Sequence, residues 1–119
     1  KETGKLDKNR QSNGISPNFV HSIDAAHMMI TIDVAKQCEI YNFAMVHDSY
    51  GTHAADAELM WWCLRKAFVE MYCQVDVLED FRIDLLDVLP AHRHAEIDPI
   101  PQKGDLDIRV VEDSPFFFA

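Results

Sequence analysis

At 119 residues, 48% of them hydrophobic, the chain is long enough for one small domain with a core of its own. Its 11 Lys and Arg against 20 Asp and Glu give a formal net charge of −9, which argues against a free-standing nucleic-acid binder with the usual basic face. No apolar run reaches the length of a membrane span and no secretory signal opens the chain. The three cysteines, Cys38, Cys63 and Cys73, are odd in number and lack a CxxC spacing. They are expected to be reduced and mostly buried, as in an intracellular protein. Because the chain begins at Lys1 rather than Met, it is expected to be a piece of something longer.

In chain order, Lys1 to Gly14 is polar and poor in apolar residues, as in a linker or a severed connection. Ser16 as cap and Pro17 at the first helical position predict a helix from about Asn18 to Gln37. Along it Val20, Ile23, His27, Ile30 and Val34 recur on one side, and His21, Ala25, Met28, Ile32 and Ala35 on another. A helix apolar on two sides is expected to be buried. His21, Asp24 and His27 form an H-x-x-D-x-x-H spacing that invites a zinc reading. At about 100° per residue the two histidines lie roughly 120° apart around the axis and cannot converge on one ion. Asp24 can pair with either at three residues' distance, so a hydrogen-bonded, buried polar cluster is expected instead.

Tyr41 to Val46 reads as a buried strand. His47-Asp48-Ser49 breaks it, and Tyr50 to Thr52 resumes a β-compatible pattern in which Gly51 permits close backbone approach. This hairpin lifts Asp48 to its tip, where fixed strands and exposed oxygens suit a metal ligand. An ordinary hairpin with Asp in its turn has the same pattern, so both readings stay open. Thr52 or His53 then begins a second helix with the stripe Ala57, Met60, Trp61, Leu64, Phe68 and Met71 inward, and Arg65, Lys66 and Glu70 outward. Trp61-Trp62 reads as core and rim packing rather than a base-stacking platform. A third helix is expected over Val77 to Leu89, with Leu78, Phe81, Leu85 and Leu86 or Val88 inward and Pro90 as its stop. His92 and His94 show no site spacing. Ile97 to Gly104 is a loop, Asp105 to Asp113 a short irregular or helical piece, and the aromatic run Phe116-Phe117-Phe118 is expected to dock into a groove of the parent protein.

Three motifs carry a resemblance to the C-terminal end of the single-subunit, bacteriophage-type DNA-dependent RNA polymerases, a family that includes the mitochondrial polymerases. Gly14-Ile15-Ser16-Pro17-Asn18-Phe19-Val20-His21-Ser22-Ile23-Asp24, continued by His27-Met28-Met29, resembles the helix before the last catalytic motif. Phe43-Ala44-Met45-Val46-His47-Asp48-Ser49-Tyr50-Gly51-Thr52-His53-Ala54 is similar to the family's motif C hairpin. Pro101-Gln102-Lys103-Gly104-Asp105-Leu106-Asp107, with Phe118-Ala119, is similar to its C-terminal tail. The aromatic tail and the Pro17 to Ser22 run favour the phage branch, which implies the cytoplasm of an infected bacterial host, with the mitochondrion as the alternative.

The resemblance implies two-metal phosphoryl transfer from ribonucleoside triphosphates, on a DNA template, to nascent RNA. Asp48 corresponds to one of two Mg²⁺-binding aspartates; the second carboxylate lies outside this chain, in the remainder of the polymerase. His21 corresponds to a histidine near the growing end of the RNA–DNA hybrid, where it can probe the minor groove. His47 corresponds to the histidine beside the catalytic Asp, packing or orienting it. The acidic charge is consistent with a metal-binding segment whose basic cleft comes from elsewhere. Family-A DNA polymerases also place His-Asp on a hairpin turn, but a second carboxylate follows there, where this chain has Ser49. A non-catalytic assembly fragment is a further alternative. An HD-type phosphohydrolase would need more His and Asp ligands on helices.

The expected fold is α+β: a buried helix, a catalytic β-hairpin and two or more further helices, part of a polymerase palm and its C-terminal extension. Residues 1–15 would be the connection, 16–89 the palm segment and 90–119 the extension and tail.

Overall fold

The computed structural model describes residues 4–117. They form a mixed α+β unit: helix α1 (Lys8–Gln37), strands β1 (Ala44–Val46) and β2 (Ser49–Gly51), then helices α2 (Ala57–Gln74) and α3 (Val77–Val88). Short 3-10 turns occupy Ala54–Asp56, Ala91–Glu96 and Ile108–Val111.

Helix α1 starts ten residues before the expected Asn18, because the cap is Asp7 rather than Ser16. The Asp7 carboxylate accepts the amides of Asn9 and Arg10, both at 3.1 Å, satisfying donors that the first turn leaves orphaned. Pro17 lies inside the helix. Its missing N–H deprives only the Asn13 carbonyl of a partner, and Asn13 is exposed to water that can replace it.

The helix is also less buried than its two apolar rows suggest. His27, Thr31, Val34 and Ala35 are buried, whereas Val20 of one row is 60% exposed and His21 of the other is exposed too. Helix α2 and the hairpin cover one face, and no described residue of this chain seals the second.

Helix α1 ends in a paired-bond turn. Glu39 takes a left-handed φ of 65° and its amide reaches the Lys36 carbonyl, while the Ile40 amide reaches Ala35. This pattern satisfies the last carbonyls and brings Ile40 back against the helix it has just left. Ile40 thereby joins Val34, Ala35, Met60, Cys63 and Ala67 in the core, with Phe43, Met45 and Leu64 packed around them.

The hairpin is shorter and more open than a buried strand over Tyr41 to Val46. Pairing begins only at Ala44, in the register Ala44↔Gly51, Met45↔Tyr50 and Val46↔Ser49, and Ser49 belongs to β2 rather than to the turn. Met45 faces the core, while Tyr41 and Val46 are each 68% exposed. Two strands present alternate faces, and the described residues supply packing for one of them. A Cβ on Gly51 would meet the Ala44 carbonyl oxygen at 3.0 Å, so a side chain there would push the strands apart by a few tenths of an ångström.

On α2, Met60 and Met71 point inward as expected, but so does Arg65, which the helical stripe had assigned to solvent. It is 3% exposed, its guanidinium 3.5 Å from the centre of the Trp61 ring. Nε and Nη2 both donate to the Ser114 carbonyl, at 3.2 and 3.0 Å. Packing against an aromatic ring and satisfying a returning carbonyl together compensate the burial of the charge. Trp61 and Trp62 are partly exposed under Arg65 and Lys66, as rim residues.

Helix α3 is capped by the Asp76 carboxylate on the Glu79 amide. No residue of α3 is buried. Phe81 packs on Phe19 of α1 with ring centres 4.7 Å apart, Leu85 and Leu86 are half-buried, and Leu78 and Val88 are exposed. The expected inward row is therefore only half realised, because α3 meets α1 at its edge. The following loop is pinned where Lys103 meets Asp76 at 2.7 Å. The His94 ring donates from Nε2 to the Leu89 carbonyl, closing the turn after Pro90.

Candidate active-site turn

The turn that joins β1 to β2 consists of His47 and Asp48 alone. His47 takes a φ of 51°, a left-handed conformation that costs a non-glycine residue on the order of 1 kcal/mol. This reversal leaves both side chains exposed at the tip. Asp48 thus occupies the position expected of it, with its carboxylate open to solvent.

One further carboxylate reaches the turn. Asp24 of α1 places Oδ2 3.8 Å from Nδ1 of His47. Sequence spacing had suggested that Asp24 pairs with His21 or His27; the hairpin folding back over α1 gives it His47 instead. His21 is exposed on α1, three residues before Asp24, and is not bonded to either. His21, Asp24 and His27 therefore do not form one buried cluster. Among the described residues no group of three His, Cys, Asp or Glu side chains could hold a metal ion.

Beneath the turn lies a buried polar pair within aromatic walls. His27 is 3% exposed, with Nε2 3.0 Å from the Leu64 carbonyl and Nδ1 3.3 Å from the Tyr50 hydroxyl. A carbonyl only accepts, so Nε2 carries the proton and Nδ1 is left to accept from Tyr50. Burial lowers the His27 pKa below its ordinary value, against the opposing pull of the Leu64 carbonyl and the Asp24 charge. The ring is accordingly neutral at pH 7. Burial, reinforced by the negative charge of Asp24, pushes the Tyr50 phenol up to about 12, so it remains a donor. Phe68 and Phe117 present edges to the imidazole at ring-centre distances of 5.5 and 6.2 Å.

This docking of Phe117 realises part of the expectation for the tail, and it does so on this chain's own α2. Phe116 remains 83% exposed, and Phe118 and Ala119 lie outside the described residues.

The lowered His27 pKa makes folding acid-sensitive. The unfolded chain takes up the proton near the ordinary value of 6.5, before the folded ring does. The stabilising contribution is therefore fully present above that value and is lost as pH falls from it toward the lowered one. Urea unfolding at about pH 7.5 and 5.5 should show the chain losing stability on acidification, and His27→Gln losing measurably less. An equal loss in both would contradict the assignment.

Tyr50, Arg65 and Phe117 escaped the reading of the sequence as parts of this site. One signal was available: Arg65 lies four residues after Trp61 and three before Phe68, within the aromatic stripe rather than opposite it.

A helix-flanked hairpin with an exposed aspartate at its tip defines a small α+β scaffold able to contribute one carboxylate to a metal centre. A family model described as DNA-dependent RNA polymerase matches residues 1–95, and the chain belongs to that family. It is 42% identical over 117 residues to the DNA-directed RNA polymerase 2, chloroplastic/mitochondrial, of Arabidopsis thaliana, covering 98% of this chain and 11% of that protein. With the DNA-directed RNA polymerase 1A of Nicotiana tabacum it shares 41% over 121 residues, 99% of this chain and 73% of that protein. The DNA-directed RNA polymerase 1, mitochondrial, of Nicotiana sylvestris is also 41% identical over 121 residues, and the chain spans 11% of it. The Arabidopsis relative is named chloroplastic/mitochondrial and the Nicotiana sylvestris one mitochondrial, which supports the mitochondrial alternative and gives no support to an infected bacterial host. No helix of the described residues is long and apolar enough to cross a membrane.

Proposed function

We propose that this chain is the segment of a DNA-directed RNA polymerase that carries one of its two metal-binding aspartates, Asp48. The observation that carries the reading is the placement of that carboxylate, exposed at the tip of a two-residue turn in a chain of this family. The chain spans about a tenth of the Arabidopsis relative, so the second carboxylate, the nucleotide-binding groups and the basic cleft are assigned to the remainder of the polymerase. Partners of the whole enzyme are then a DNA template, nascent RNA and ribonucleoside triphosphates, and its location is the mitochondrion.

The donor set fits one arm of a two-ion site. Asp48 offers charged oxygens with no packing role to give up, and among the described residues no set of three ligands could enclose an ion alone. Asp48, with the carboxylate outside this chain, would hold two Mg²⁺ ions, which when bound would activate the RNA 3′-hydroxyl and stabilise charge at the leaving pyrophosphate. Asp48 contributes negative charge from a fixed position, which the palm hairpin maintains. His47, beside Asp24, orients the turn rather than transferring protons. His21, exposed on α1, is free to touch the minor groove of the hybrid end.

Ser49, where a family-A DNA polymerase would place its second carboxylate, favours RNA synthesis. The test is extension of an RNA primer on a DNA template by the polymerase that carries this segment, with ribonucleotides or deoxyribonucleotides supplied. Ribonucleotides should be incorporated at least about a tenfold higher kcat/KM, a preference of about 1.4 kcal/mol. A preference for deoxyribonucleotides would move the chain to the alternative class.

A further inference from the structure

The two strands are anchored to the body in different ways. Met45 of β1 packs into the core, a contact without direction, and its neighbour Val46 is exposed. Tyr50 of β2, directly across from Met45, makes a directional bond to His27 at 3.3 Å. Apolar packing tolerates sliding, whereas a hydrogen bond fixes distance and angle. Asp48 is two residues before Tyr50, so its height over α1 follows from where the phenol is held.

His27 is itself held on more than one side. The Leu64 carbonyl takes its Nε2 proton at 3.0 Å, which sets the ring plane against α2. Phe117 meets it edge-on, with rings 6.2 Å apart and inclined at 86°, and also meets Phe68 at 4.9 Å. The segment bearing Phe117 is clamped by Arg65, whose guanidinium holds the Ser114 carbonyl twice and lies 5.3 Å from the Phe117 ring.

We propose that His27 is a positioning residue for the Asp48 turn, joining the catalytic hairpin to the C-terminal segment through Tyr50 and Phe117. The inference rests on the reading of Asp48 as a metal-binding aspartate. It adds that a buried imidazole two contacts away sets where that aspartate stands. Arg65 and Phe117 supply the wall that keeps the imidazole in place.

The experiment uses the polymerase that carries this segment, extending a preformed RNA–DNA hybrid by one nucleotide. Tyr50→Phe keeps the ring and removes the hydroxyl; His27→Gln keeps a donor for Leu64 and moves the acceptor away from the place of Nδ1. Each should lower kcat about three- to tenfold with KM for the nucleotide near the parental value, the range of one hydrogen bond. The double variant should be no worse than Tyr50→Phe, which already removes the bond to His27 together with the hydroxyl's bond to Thr31. His27→Asn, which keeps an acceptor near the place of Nδ1, should retain most of kcat while losing stability.

Hydrogen exchange gives a second readout independent of activity: the amides of residues 44–51 should exchange faster in Tyr50→Phe, His27→Gln and Phe117→Ala. Parental kcat with unchanged exchange, or losses that multiply in the double variant, would overturn the inference. If His27→Gln does not fold, Tyr50→Phe and the exchange of the hairpin decide it by the same criteria. Asp48→Asn run in parallel separates the two claims. Survival of extension there removes the reading of the turn, whereas an inactive Asp48→Asn beside an unaffected Tyr50→Phe removes only the positioning role.

Discussion

An Asp48→Asn polymerase should bind its DNA and RNA as the parent does and extend the RNA at least about a thousandfold more slowly. The substitution is nearly isosteric, and asparagine suits a turn as well as aspartate does. Asp48 is exposed and takes no part in the core, so the change in folding stability should stay within about 0.5 kcal/mol. What is lost is charge. An amide oxygen is a poorer ligand for a hard divalent cation than a carboxylate, and several kcal/mol of transition-state stabilisation depend on such ligands. A factor of a thousand corresponds to about 4 kcal/mol, within that range. Single-nucleotide extension, hybrid binding and melting temperature, measured together, separate a chemical defect from a folding one. Extension within about tenfold of the parent, with binding intact, would contradict the role given to Asp48.

The hairpin and its turn were legible because their signals are local. The polar stretch His47-Asp48-Ser49 between β-compatible runs signals a tight reversal, although the structure narrows the turn to His47 and Asp48. Helices α2 and α3 were legible for the same reason, through a repeating stripe and a proline stop. The start of α1 was not, because Pro17 is a stronger punctuator on paper than in a solvated helix, and Asp7 lay in a stretch too polar to suggest one. The buried strand and the doubly buried helix were inferred from apolar content alone. Content says what prefers to leave water, not whether a partner is at hand to cover it; Val46 and Val20 stay exposed because no described residue covers them.

The contacts beneath the turn were beyond any sequence pattern, because they join residues distant in the chain. Leu64 meets His27 across 37 positions, and Ser114 meets Arg65 across 49. Arg65 is the instructive case. Its charge assigned it to solvent, and the structure buries it because the returning C-terminal segment offers a carbonyl and Trp61 a ring face. Neither partner is visible until the tail is seen to fold back.

The central claim is that this chain supplies one carboxylate to a polymerase whose other catalytic groups lie elsewhere. Template-dependent RNA synthesis measured on the purified chain, on the rest of the polymerase, and on their mixture tests it most directly. The chain alone is expected to self-associate through its exposed apolar faces, Val20, Met29 and Phe116 among them, and to make no RNA. Mixing the two portions should restore synthesis, and mixing with an Asp48→Asn chain should not. Robust RNA synthesis by the 119-residue chain alone, or a mixture equally active with Asp48→Asn, would contradict the account.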